Sequence, residues 1–150
     1  MYLLFECLAK QADNKHDYGL LSKVLGILFS RIEELNVVNI SIIMFHLNKI
    51  RYENIDHWKL LINRYFDLVE SDISFEMLDQ TLVTMALNSI SKTLKARFRD
   101  ISPGFLFAMS RKGMQVFENF GEGRFDKQGL TMTMLSLGRF QEIYKKTNPA

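Results

Sequence analysis

Apolar residues recur every three or four positions along most of this chain, the spacing that gathers them on one face of an α-helix. Leu21, Val24, Leu25, Leu28, Phe29 and Ile32 form one such stripe, and Leu61, Ile62, Tyr65, Phe66 and Val69 form another. The stretches Val37 to Ile50 and Phe75 to Ile90 carry the same pattern, with Ser74 and Glu76/Met77 placed as N-cap and first turn of the latter. Pro103 suits the first turn of a helix and precedes a stripe from Phe105 to Phe120. The step Gly121-Glu122-Gly123 then separates it from a last stripe, Lys127 to Lys146. No segment alternates as a strand would, and the only prolines are Pro103 and Pro149, so nothing breaks the helices from within. With Tyr2 to Gln11 at the front, the pattern predicts seven helices and no sheet. The connections are short, which pairs consecutive helices as antiparallel hairpins.

The second helix of each hairpin closes in a similar way. Leu8-Ala9-Lys10-Gln11, Leu47-Asn48-Lys49-Ile50, Leu87-Asn88-Ser89-Ile90 and Leu137-Gly138-Arg139-Phe140 each follow an apolar ramp. Their leucines lie 39, 40 and 50 residues apart, so the last interval carries an insertion of about ten residues, placed at about 91–102. The first helices repeat as well, since the stripe from Val24 to Ile32 maps onto Leu61 to Val69 with a constant shift of 37. One helix pair per 37–40 residues is the pattern of an α-solenoid of antiparallel helical hairpins, here about three and a half repeats in a single domain spanning 1–150. An irregular helical bundle with chance leucine matches is the alternative.

A ramp closing in Leu-Ala-Lys-Leu or a near variant once per 37–40 residues resembles the heptatricopeptide and octotricopeptide repeat proteins of organelles, including those related to FAST-kinase-like and RAP-domain proteins. The stretch Phe125 to Phe140 is most similar to that family's second helix. The family's small residue before the closing leucine is matched by Ala86 and Ser136, whereas Cys7 and His46 depart from it. The resemblance implies RNA contact, with an rRNA or an organellar transcript, inside mitochondria or plastids. It implies a component or assembly factor of an organellar ribonucleoprotein such as the mitochondrial ribosome, and no cofactor.

Total charge changes this picture little, because 19 Lys and Arg against 17 Asp and Glu give a net charge of only +2. Its distribution matters more. Residues 1–75 sum to −2 and residues 76–150 to +4, with no acidic side chain between Gln80 and Arg99. Lys92, Lys95, Arg97 and Arg99 fall in the insertion with Phe98 interleaved, and Arg111 and Lys112 follow in the next helix. Cations two or three residues apart can meet successive phosphates, and an exposed aromatic can stack on a base, which makes this the expected RNA surface. A solvated basic linker pinned to the core by Leu94 and Phe98 reads equally well from the residues alone.

Catalytic chemistry finds little support. Ser89-Ile90-Ser91-Lys92 matches Ser-x-x-Lys, but the partner motifs of the penicillin-recognising enzymes are missing. His16, His46 and His57 are far apart, and the single Cys7 excludes an intrachain disulfide and a zinc-finger spacing, so no metal is expected. Glu33 and Glu34 lack a positioned partner, and the eight methionines read as core filling. No apolar run reaches the roughly 18 residues of a membrane span. The N-terminus has neither a secretory signal nor an Arg-rich transit pattern, so a mitochondrial location rests on the resemblance. The first helix is apolar over much of its circumference, and Tyr2, Leu4 and Phe5 are expected to meet another protein subunit unless the chain begins earlier. Two functions remain: a noncatalytic RNA-binding helical-repeat protein, or a helical scaffold that contacts only proteins.

Overall fold

A short polar side chain starts each helix after the first. Asn36 Oδ1 accepts from Asn39 N at 2.9 Å, Asn54 Oδ1 from His57 N at 3.1 Å, and Asp79 Oδ1 from Thr81 N at 2.9 Å. Ser102 Oγ accepts from Phe105 N at 3.4 Å with Pro103 beginning the helix, and Asp126 Oδ1 accepts from Gly129 N at 2.7 Å. Each bond satisfies an amide that the first turn leaves without an intrahelical partner, a contribution of about 1 kcal/mol per cap. The computed structural model describes residues 18–71 and 79–149. Within them lie α1 (Tyr18–Ser30), α2 (Val37–Lys49), α3 (Ile55–Ser71), α4 (Gln80–Ala96), α5 (Pro103–Phe120) and α6 (Lys127–Thr147). Two 3-10 turns, Ile32–Glu34 and Glu122–Arg124, complete the described elements, among which there is no strand.

The all-helical expectation holds for these residues. The helix predicted over Tyr2 to Gln11 lies outside them, as does the capping role given to Ser74 and Glu76. The helix expected from Phe75 to Ile90 is observed from Gln80 to Ala96, capped by Asp79. It therefore runs six residues past Ile90 into the segment read as an insertion. Ser91, Thr93 and Leu94 are buried there, and burial prolongs the helix.

Packing centres on α4, which lies between α2 and α6. The α4–α6 pair runs parallel: Gln80 Oε1 accepts from Asp126 N at 2.8 Å, Thr84 and Thr133 hydroxyls are 3.2 Å apart, and Arg139 Nη1 donates to Asn88 Oδ1 at 3.1 Å and to Ser91 Oγ at 3.2 Å. At the end of α2, Asn48 Nδ2 donates to Ser89 O at 3.5 Å and to Thr93 Oγ1 at 3.3 Å, which sets the C-terminal ends of α2 and α4 together. The α5–α6 pair is an antiparallel hairpin. Phe107 stacks on Tyr144 at 4.9 Å near its open end, and Phe120 meets Phe125 at 4.8 Å near its turn, where Gly121 (φ 87°) reverses the chain.

Trp58, Tyr65, Phe66 and Phe140 are the largest fully buried side chains. Each removes enough apolar surface from water to contribute on the order of 2–3 kcal/mol. The repeat positions have a shared burial phase. The residue before the closing leucine is buried in all three described copies (His46, Ala86, Ser136), as is the residue three after it (Ile50, Ile90, Phe140). Leu47 and Leu87 are buried too, but Leu137, expected in the shared core, is only half-buried. The reason is geometric. Helix α4 is flanked on both sides, whereas α6 is covered by α4 and α5 and leaves its far flank open, with Met134 and Leu135 exposed. Its buried arc narrows to Thr133, Ser136, Phe140 and Ile143.

Candidate nucleic-acid interface

Cations favour the last turn of a helix, where the backbone dipole ends negative. Because α2, α4 and α6 bring their C-terminal ends to one side of the molecule, cations that are remote in sequence become neighbours. Helix α2 contributes Lys49 and is followed by Arg51, both exposed. Helix α4 contributes Lys92 and Lys95, exposed one turn apart, and is followed by Arg97 and the exposed Arg99. Helix α6 contributes Lys145 and Lys146.

Two recesses divide this surface. One, about 550 Å³, lies between the ends of α2 and α4 and is lined by Lys49, Arg51, Lys92 and Arg97 over Tyr52 and Trp58. Its carboxylate, Glu53, reaches Arg97 Nη2 at 3.8 Å and is otherwise exposed. The other recess, about 370 Å³, lies between the ends of α4 and α6 and is flanked by Lys95, Arg99 and Lys146 together with Asp100 and Glu142. Glu142 accepts from Lys146 Nζ at 3.0 Å. That hydrogen bond, with the charges of Lys146 and Lys95, holds its carboxyl below the usual carboxylate range.

The sequence-derived residues divide accordingly. Lys92, Lys95, Arg97 and Arg99 are brought together, although the first two stand on a helix rather than in a linker. Arg97 closes α4, its N–H bonded to Thr93 O at 2.9 Å. Phe98, expected as a stacking platform, is half-buried against the core with Lys146 Nζ 5.8 Å from its ring centre. Its primary contact is therefore with the protein. Arg111 and Lys112 do not join the group: Lys112 Nζ pairs with Glu70 Oε1 at 3.5 Å and lines a separate recess between α3 and α5. Tyr2, Leu4 and Phe5 lie outside the described residues. Sequence reasoning missed Lys49, Arg51, Lys145 and Lys146. The available signal was a cation in or just after the last turn of alternate helices.

Beneath the first recess, His57 is sandwiched between Phe29, stacked with ring centres 4.0 Å apart, and Tyr52, stacked at 5.9 Å. Tyr52 Oη and His57 Nδ1 are 2.6 Å apart, a hydrogen bond whose donor is set by the tautomer of the ring. Burial lowers the imidazole pKa from its ordinary 6.5, against the opposing charge of Asp56. The folded state thus holds this proton less tightly than the unfolded chain. The stabilising contribution is complete above about pH 6.5 and is lost as the pH falls through the lowered folded value. Melting temperatures measured between about pH 7.5 and 5 should fall more steeply for the native protein than for His57→Phe. Parallel curves would show that this site does not titrate on folding.

Among the described residues, no group of three His, Cys, Asp or Glu side chains could hold a metal ion, and no helix is long and apolar enough to cross a membrane. Compared with protein-family models, curated proteins and solved structures, the chain finds no match.

Proposed function

We propose that this chain is a noncatalytic helical-repeat protein that holds RNA by its phosphate backbone. In this reading it is an α-solenoid of antiparallel hairpins, with α2, α4 and α6 in one row and α3 and α5 in the other. The RNA lies across the end of the row where the cations gather. The observation that carries the reading is this convergence: Lys49 and Arg51, Lys92 to Arg99, and Lys145 and Lys146 come from three helices that end on the same side. Cations from separate elements along one edge match a polyanion better than a point ligand. The resemblance to heptatricopeptide-type repeats extends the proposal to a mitochondrial ribonucleoprotein such as the mitochondrial ribosome, as component or assembly factor.

A protein scaffold without RNA contact is favoured by a different feature, the exposed flank of α6 with Met134 at 49% and Leu135 at 55% exposure. Salt dependence separates the two. Replacing Lys92, Lys95, Arg97 and Arg99 together with Gln should flatten the slope of log affinity against log salt by about 0.7 per lost contact for single-stranded RNA, or about 0.9 for a duplex. Preference among RNA sequences should change little, because phosphate contacts position without specifying. An unchanged slope, or no RNA binding by the native protein at low salt, would favour the scaffold.

A further inference from the structure

Arg51 has a backbone conformation that its side chain disfavours. Its φ is 56°, and it is the one non-glycine among the described residues with a positive φ. The position closes α2: Arg51 N donates to Asn48 O at 3.1 Å and Tyr52 N to Leu47 O at 2.9 Å. In this left-handed closing turn glycine is the ordinary occupant, because a Cβ crowds the neighbouring carbonyl. Among the described residues no polar partner compensates for the arginine. Its exposed guanidinium makes neither a hydrogen bond nor an ion pair with any described residue. A cation to offset the helix dipole is not a sufficient reason, since Lys49 already stands in the last turn.

Arg51 instead lines the 550 Å³ groove between the ends of α2 and α4, opposite Lys92 and Arg97. Two cations thus come from the end of α2 and two from the end of α4. The carboxylate that lines the groove, Glu53, is drawn to Arg97. A planar guanidinium suits a tetrahedral anion because two parallel N–H groups can donate to two of its oxygens. A charged residue that strains the backbone without a polar partner among the described residues suits something that arrives from outside.

We infer that this groove seats a phosphate group, with Arg51 as its principal ligand and Lys49, Lys92 and Arg97 around it. The inference rests on the reading of the chain as an RNA-backbone binder but makes a narrower claim. It assigns one phosphate to one groove and one residue, whether the group belongs to an RNA strand or is free inorganic phosphate.

The test is Arg51→Gly beside Arg51→Lys, with inorganic phosphate and a short single-stranded oligoribonucleotide as probes. Binding is followed through the backbone amide shifts of residues 49–52. Glycine relieves the turn, so the melting temperature of Arg51→Gly should be equal to that of the native protein or higher by about 2–4 °C. Its affinity for phosphate should fall at least about tenfold, the loss expected for a charge-assisted pair. Lysine keeps the charge and should retain part of that affinity. A stability gain opposed to a binding loss is the signature, since a merely structural arginine would move both together or neither. If Arg51→Gly binds both probes as the native protein does, the seat is refuted, while RNA binding elsewhere on the surface still stands on its salt slope. If the native protein binds phosphate in the groove and no RNA, the seat stands and the RNA reading falls.

Discussion

Alanine at position 113 should destabilise the protein, although in most helices replacing a glycine with alanine does the opposite. Gly113 lies in the middle of α5 and is buried against α6. A Cβ built on it would sit 2.6 Å from both Cε2 and Cζ of Phe140. That ring is 1% exposed, so it has no open space into which to withdraw. Alanine recovers about 1 kcal/mol of helix propensity, but overpacking of this kind costs about 1–3 kcal/mol and valine should cost more. The contact is also needed from the other side, since Phe140→Ala should cost about 3–5 kcal/mol through lost burial and the cavity it leaves. Denaturant unfolding of a double-mutant cycle checks the pair: Gly113→Ala should be far better tolerated on a Phe140→Leu background. Alanine raising stability in the native background would mean that the two helices are not this close.

Truncating Leu47 should cost about 2–5 kcal/mol, and truncating Leu87 a similar amount, since both side chains are at most 1% exposed. Leu137 occupies the same place in the sequence pattern yet is half-buried, and Leu137→Ala should cost about 1 kcal/mol or less. Unfolding midpoints of the three single variants test this order. Equal losses at all three would show that the repeat positions are packed alike and that the flank of α6 is covered.

The contrast marks how far the sequence could be read. The apolar spacing located the described helices because an amphipathic stripe is local, and the lack of interior prolines left it unbroken. It could not tell that α6 stands at the edge of the row, because the number of flanking neighbours is a property of assembly. The basic surface shows the same division. Lys92 to Arg99 were legible because they are contiguous, whereas Lys49, Arg51, Lys145 and Lys146 join them only where three helices end together. Lys112 follows closely in sequence but lines a recess between α3 and α5, where it meets Glu70 near the end of α3, and Arg111 beside it is exposed and lines neither basic recess. Gly113 in isolation reads as a weak point of a helix, and the ring of Phe140 gives it a purpose.

The chain contains a single tryptophan, Trp58, and its indole forms part of the groove beneath Arg51 and Lys92. The ring is 2% exposed, and its Nε1 donates to Tyr52 O at 2.8 Å, the carbonyl of the residue that follows Arg51. The molecule therefore carries a native optical reporter. The emission of one fluorophore, shielded from water in the folded state and exposed on unfolding, records global denaturation without interference from a second indole. Through the Tyr52 carbonyl, the indole is tied to the backbone turn that presents Arg51, so unfolding of that turn can be followed in unlabelled protein on a single optical channel.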